Sequence, residues 1–186
     1  MKIFKRFNSK LVKILKNSGI GVIPTDTIYG LVGSALNKKT VEQIYKLRRR
    51  NPKKPMIILI SDIKDLKKFD ISLSSTHYSL LTTHWPKKTS IVFLCPLAKF
   101  RHLHRGNKTL AFRLPKPEKL REFLKKTGPL VAPSANLENQ PPAKTIKDAQ
   151  KYFGDKVDFY IDAGKIVSKP SRLIKITNGK VIELRK

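Results

Sequence analysis

The sequence predicts an α/β protein: one domain built on a twisted, open, mixed sheet with flanking helices. Three observations carry this. Short apolar runs recur along the chain, separated by stretches with helical spacing. The chain has 186 residues, enough for one substantial core and too few for two ordinary ones. Hydrophobic residues make up 40% of it, a globular composition and not a disordered one.

The elements follow in order. Residues 1–18 are basic and free of acids, and Leu11, Ile14 and Leu15 stand at helical spacing. That predicts an amphipathic helix laid on the sheet, with a transit peptide as the competing reading. Ile20–Pro24 is a strand. Thr40–Arg50 is a helix with Val41, Ile44 and Leu47 inward, ended by Asn51-Pro52. Met56–Ile60 is a buried strand and Ile63–Phe69 a short helix. Ile91–Cys95 and Leu110–Leu114 are strands, the second followed by Pro115. Glu118–Lys126 is a helix closed by Gly128. Leu130–Ala132 is a strand, Thr145–Phe153 a helix, and Phe159–Ile161, Arg172–Thr177 and Lys180–Leu184 are strands. Asn178-Gly179 between the last two is a hairpin signal. No repeat or linker interrupts the pattern, so residues 1–186 read as a single domain.

The charge is extreme. Forty basic residues, thirty of them lysine, against thirteen acids leave +27. From Ile71 to Pro117 there is no acid, while Lys87, Lys88, Lys99, Arg101, Arg105, Lys108, Arg113 and Lys116 all fall there. Such a field attracts RNA or a nucleoside triphosphate; a surface merely coated with lysine produces the same total. The single cysteine, Cys95, excludes an intrachain disulfide and a multi-cysteine zinc site, and suits the reducing cytoplasm. No apolar run approaches the roughly 18–20 residues that span a bilayer, so no membrane association is expected.

Conventional catalytic motifs are missing: there is no Walker loop and no G-x-G-x-x-G. His102 and His104 alternate, which places them on one strand face as a metal-site alternative to two surface histidines. Ser134 lacks a nucleophile elbow. Three segments stand out instead. Pro24-Thr25-Asp26-Thr27-Ile28-Tyr29-Gly30-Leu31 leaves a strand end, where open sheets place ligands, or else forms a turn capping a helix. Arg48-Arg49-Arg50 ends a helix. Residues two apart diverge by about 200°, so Arg48 and Arg50 converge only if the helix unwinds, with Arg49 pointing away. Otherwise the three form a solvated helix end of little stability. Pro129–Asn136 is a strand emptying into small polar residues, anion ligands or a helix cap.

Together these segments resemble the YrdC/Sua5-like threonylcarbamoyl-AMP synthases, in order and over nearly the whole chain. Pro24–Leu31 matches the P-T-[DE]-T-x-Y-G-L opening, and Arg48-Arg49-Arg50 the Lys-x-Arg. Pro55-Met56 matches the Pro-Leu strand start, and Trp85-Pro86-Lys87 the Trp-Pro-Gly. Leu110–Arg113 matches the strand ending in arginine, Ser134–Asn136 the Ser-x-Asn, and Asp162-Ala163-Gly164 the late Asp-x-Gly. The chain departs from the pattern at Arg48 for lysine, Lys87 for glycine, Glu138-Asn139 for Ser-Gly, and Pro170-Ser171-Arg172 for Glu-Ser-Thr. The resemblance implies a short, single-domain member with the YrdC-like fold shared with DHBP synthase, without the extra Sua5 domain.

It further implies a nucleotidyltransferase that converts L-threonine, bicarbonate and ATP to threonylcarbamoyl-AMP and pyrophosphate. The product would supply the proteins that install N6-threonylcarbamoyladenosine at position 37 of tRNA. By the same resemblance Arg48, Arg50, Thr109 and Ser134 hold the nucleotide phosphates, and Asn136 joins them or the metal shell. Thr27 and Arg113 hold threonine, Arg113 through its carboxylate, with Ser171 a further contact. Arg48, Arg50, Ser134 and Asn136 form the catalytic set, and Mg²⁺ arrives with ATP without a direct protein ligand. The alternative from another class is a non-catalytic RNA-binding protein on the same fold, suggested by the +27 charge.

Overall fold

Leu110 and Phe112 turn to one face of their strand, and Thr109, Ala111 and Arg113 to the other. The architecture follows that division. The computed structural model describes residues 2–177 and 180–186. Their ten strands are β1 (Ile3–Phe4), β2 (Gly21–Pro24), β3 (Tyr29–Ser34), β4 (Ile57–Leu59), β5 (Thr89–Leu94), β6 (Thr109–Arg113), β7 (Leu130–Val131), β8 (Phe159–Ile161), β9 (Arg172–Thr177) and β10 (Lys180–Arg185). They form one sheet in the order β1-β8-β2-β3-β7-β4-β6-β5-β9-β10. Pairs β1/β8, β2/β8, β4/β6 and β5/β9 are parallel and the others antiparallel, so the sheet is mixed as predicted.

The helices are α1 (Ser9–Lys16), α2 (Lys38–Arg48), α3 (Ser75–His84), α4 (Arg101–His104), α5 (Glu118–Thr127) and α6 (Ile146–Phe153). One face of the sheet carries the larger core. There α2, α6 and the 3-10 turn Ile63–Phe69 bury Val41, Ile44, Ala149, Phe153, Leu66 and Phe69 against Leu31, Ile58, Phe112 and Ile174. The opposite face is covered only in part. Leu11 and Leu15 of α1 and Leu120, Phe123 and Leu124 of α5 pack on Ile23, Val32, Leu59, Leu130, Phe159 and Ile161. Each such side chain contributes about 1.5–3 kcal/mol by leaving water. Over β6, β5, β9 and β10 the described helices leave that second face open, and the cleft lies there.

Local signals account for the helix ends. Asn8 and Asn37 accept from Leu11 N and Thr40 N, and Thr145 with Asp148 forms a capping box. Gly128 closes α5 at φ 84°, as expected. The basic amino terminus is part of the fold, since β1 extends the sheet and α1 buries Leu11 and Leu15.

Other expectations need correction. Pro24–Leu31 does not cap a helix but turns β2 antiparallel into β3, a strand the apolar pattern missed. Gly33 in β3 lets α2 approach, since a Cβ there would collide with Thr40 Cγ2. The predicted helix to Arg50 stops at Arg48, because Arg49 adopts φ 50°. His102 and His104 lie on α4, not on a strand. Their Nε2 atoms meet Ala35 O at 3.2 Å and Leu97 O at 3.3 Å. The hairpin dipeptide Asn178-Gly179 lies outside the described residues. Among the described residues no helix is long and apolar enough to cross a membrane.

Candidate active site

The first motif is a wound turn. Thr25 Oγ1 donates to Ile28 O at 2.6 Å and accepts from Thr27 N at 3.2 Å and Ile28 N at 3.3 Å. With its own proton given to Ile28, Thr25 must accept at its 3.1 Å contact with Thr27 Oγ1. The Thr27 hydroxyl thus donates to Thr25 and accepts from Arg113 Nη1 at 3.1 Å. Tyr29 ties this turn to the last motif: its hydroxyl donates to Gly164 O at 2.8 Å and accepts from Ala163 N at 2.9 Å. The Ser-x-Asn segment lies alongside β3, with Leu31 N donating to Pro133 O and Ala135 N to Tyr29 O, both at 2.9 Å.

Arg48 leaves the end of α2 into this junction. Its Nε donates to Asn136 O at 2.9 Å, and its Nη2 to Asn136 Oδ1 at 3.0 Å and Ser134 Oγ at 3.2 Å. It is 3% exposed, and its Nη1 has no partner among the described residues. Burial, then the neighbouring charge of Arg50, push its pKa down to about 10. The unwinding anticipated at this helix end is present, with Arg49 left-handed and exposed. Arg50 then folds back, donating to Lys54 O at 3.1 Å and Pro55 O at 2.9 Å. Glu138 braces that loop. It accepts from Asn51 N and, at 3.1 Å, from Lys54 Nζ, while its own N–H donates to Arg48 O at 2.8 Å.

Arg113 closes the other end. Its Nη2 lies 3.2 Å from Asp26 Oδ1, with the two side chains 5% and 3% exposed. This is an ion pair by distance without hydrogen-bond alignment, since neither Asp26 oxygen has a hydrogen-bond partner among the described residues. Burial pushes the Arg113 pKa down, Asp26 opposes that, and Arg185 adds to it. Ser171 Oγ meets Ser90 Oγ at 2.8 Å, and Arg185 Nη2 donates to Ser171 O at 2.8 Å.

These groups surround a cleft of about 450 Å³. Thr27, Arg48, Arg50, Thr109, Arg113, Ser134 and Ser171 all line it, so the chain brings together seven of the eight residues singled out by the sequence. Asn136 is not among the lining residues. Its amide donates to Leu137 O at 2.6 Å and Gln140 O at 2.7 Å and accepts from Arg48, which makes it a brace beneath the cleft. Sequence reasoning missed Arg185. A register shift between Glu183 and Arg185 brings Leu184 and Arg185 together onto the cleft, and no motif marks it. Four of the ten arginines line the cleft, and among the described residues no lysine, aspartate or glutamate does. Nor, among the described residues, do three His, Cys, Asp or Glu gather as a metal-holding group. The acid-free stretch is not a bare patch either: Lys99, Arg105 and Arg113 are paired with Asp70, Glu42 and Asp26 from outside it.

A cleft of guanidinium and hydroxyl groups over the open half of a mixed sheet defines an α/β protein whose cleft is chemically suited to anions. The sequence model of the Sua5/YciO/YrdC family, described as "Telomere recombination", matches residues 13–186, and the chain belongs to this family. A Methanocaldococcus jannaschii protein, provisionally named threonylcarbamoyl-AMP synthase, is 32% identical over 183 residues, 94% of this chain and 83% of its own. The threonylcarbamoyl-AMP synthase of Idiomarina loihiensis is 28% identical over 168 residues, 88% and 90% of the two chains. P. abyssi Sua5, solved with L-threonine, superposes with a TM-score of 0.89 at 23% identity, over 100% of this chain and 57% of that one. The present chain therefore spans little more than half of Sua5. E. coli YciO gives 0.83 at 19% identity, over 100% and 94%. At these identities the two structures speak for the fold alone.

Proposed function

We propose that the chain is a threonylcarbamoyl-AMP synthase, a nucleotidyltransferase acting on L-threonine, bicarbonate and ATP in the cytoplasm. The observation that carries the reading is the arginine-lined cleft with two differently built ends. Every reactant is an anion or carries one: the triphosphate, the carbamate and the α-carboxylate. Arg48, Arg50, Ser134 and Thr109 receive the phosphates. Among the described residues Arg48 Nη1 is a donor without a partner, as is Nε of Arg113, and Ser134 keeps its hydroxyl proton because it accepts from Arg48. Arg113 takes the threonine carboxylate, with Thr27 and Ser171 beside it. The threonine amine adds to carbon dioxide from bicarbonate and loses a proton, giving a carbamate. A carbamate oxygen attacks the α-phosphorus, the bond to the β-phosphate oxygen breaks, and pyrophosphate leaves. No protein nucleophile is required; placing the anions and stabilising the transition-state charge suffices. The polar side chains lining the cleft are hydroxyls, guanidiniums and the Asn107 amide, with no carboxylate among the described residues, which suits Mg²⁺ entering as MgATP and not as a protein-held ion. The adenylate would pass to the proteins that modify tRNA.

The RNA-binding alternative rests on net charge. The choice of arginine for the cleft, in a chain with three times as many lysines, favours the synthase. The test is pyrophosphate release by purified protein given ATP, Mg²⁺ and bicarbonate, with and without L-threonine. Release that requires threonine supports the synthase; release indifferent to it overturns the assignment.

A further inference from the structure

Asp26 stands apart among the acids. Its side chain is 3% exposed and its partner is Arg113, yet among the described residues neither oxygen receives a hydrogen bond. An unsatisfied buried carboxylate needs a reason to be there. Holding Arg113 in place is an incomplete one, because Thr27 also takes that guanidinium. Charge supplies a better reason. Arg185 lines the same cleft as Arg113, and its charge acts on that guanidinium. Without Asp26 these two guanidiniums would make a second cationic pair comparable to Arg48 and Arg50, and the cleft would hold two sites fit for a phosphate chain.

We infer that Asp26 is a specificity-determining, positioning residue. It neutralises Arg113 so that this end of the cleft accepts a singly charged carboxylate and rejects pyrophosphate or triphosphate. It acts through Arg113 and does not line the cleft. At the opposite end Arg48 and Arg50 have no carboxylate ion-paired to them among the described residues. The carboxylate of the nearby Glu138 acts on both through its charge alone; its oxygens are taken by Lys54 and Asn51 N–H, and Arg48 Nη1 keeps no partner among the described residues. The inference rests on the proposed assignment of the two ends, but it predicts a property of the cleft that needs no turnover.

The experiment measures inorganic pyrophosphate binding by calorimetry on the full chain, with L-threonine as competitor. It compares the wild type, Asp26→Asn, Asp26→Glu and the double variant Asp26→Asn/Arg113→Gln. The wild type should bind one pyrophosphate, undisturbed by threonine. Asp26→Asn, equal in size and uncharged, should gain a second pyrophosphate at least tenfold tighter than any second binding in the wild type. Threonine, which does not compete with pyrophosphate in the wild type, should compete with this second pyrophosphate. Asp26→Glu should restore the wild-type pattern, and removal of Arg113 should abolish the gained site. A single pyrophosphate in Asp26→Asn, with threonine weakened alone, would leave Asp26 a structural partner and overturn the inference. If Asp26→Asn does not fold, the same titration is read on Asp26→Ser and Asp26→Ala; a single pyrophosphate in either, or failure of both to fold, overturns the inference. Should the synthase reading be wrong, threonine will not bind the wild type, while the second pyrophosphate in Asp26→Asn still reports on Asp26.

Discussion

Two regions of this molecule are cationic, and they are built from different cations. The cleft takes arginines from α2, the loop after it, β6 and β10, and buries Arg48 and Arg113 almost completely. The exterior takes the lysines, and even the ion-paired ones remain solvated: Lys5, Lys99 and Lys54 are 80%, 62% and 59% exposed. An ammonium is a compact, strongly hydrated charge that resists burial, whereas a planar guanidinium is weakly hydrated and satisfies several acceptors at once. Arg48 does this with the two oxygens of Asn136 and the Ser134 hydroxyl. Net charge therefore describes the exterior, and the site is found by asking which cations the fold has dehydrated.

The largest effect should come from Arg48. Arg48→Ala removes an unpartnered donor and a buried charge, and threonine-dependent pyrophosphate release should fall about 10²–10³-fold. Alanine also strips donors from Asn136 and Ser134, so thermal or urea unfolding should show a loss of about 1–3 kcal/mol. The sequence pattern suggested that a basic helix end adds little stability, and the burial of Arg48 reverses that expectation. Arg48→Lys keeps the charge but not the fork, and should retain part of the activity. Arg50→Ala should cost about ten- to a hundredfold in rate, with stability within about 0.5 kcal/mol. Its partners, the carbonyls of Lys54 and Pro55, sit on a largely exposed loop. Identical losses of rate and stability at the two arginines would erase the distinction between buried and rim cations.

What was legible in the sequence tracks burial in the same way. Met56–Ile60 contains β4 and Leu110–Leu114 overlaps β6 but for Thr109, because their residues pack against core and cleft with little interruption. The strand β3 escaped because Gly30 and Gly33 break its apolar run, and its pairing partner β2 is what makes it a strand. The helix α3 is mostly Ser, Thr, His and exposed residues, with Leu81 its clearly buried contact, so its spacing carried no signal. Alternating histidines suggested a strand at His102 and His104, but two residues cannot separate a period of two from one helical turn. In the cleft, the residues carried by motifs were all identifiable. Arg185 was not, because its position depends on a register shift in a strand pair, a property of two segments and of neither alone.

The exterior should show smaller, additive effects. Lys87 and Lys88 are exposed and lie in the acid-free stretch. Changing each to Gln should leave threonine-dependent pyrophosphate release unchanged. RNA affinity at low salt should weaken by at most about fivefold per residue, and the salt dependence should become shallower. Filter binding across a salt series reads this directly. RNA affinity that does not respond to salt would show that the exterior lysines are not an electrostatic footprint, and loss of pyrophosphate release would place them in the site.

The smallest effect should be at Arg49, the residue between the two cleft arginines. Its side chain is exposed, and its backbone, at φ 50° and ψ 36°, is left-handed. That conformation costs an L-residue about 1–2 kcal/mol, and glycine escapes the cost while adding about 0.5–1 kcal/mol of unfolded-state freedom. Arg49→Gly should therefore stabilise the chain by about 0.5 kcal/mol, a rise in Tm of roughly 1–2 °C for a domain of this size. Arg49→Ala keeps the Cβ and should change neither Tm nor pyrophosphate release. The two substitutions remove the same charge, so a fall in rate common to both would mean that Arg49 contributes its cation to the cleft. A rise in Tm for glycine alone, at constant rate, would show that its role is the reversal of the backbone that sends Arg48 inward and Arg50 to the rim.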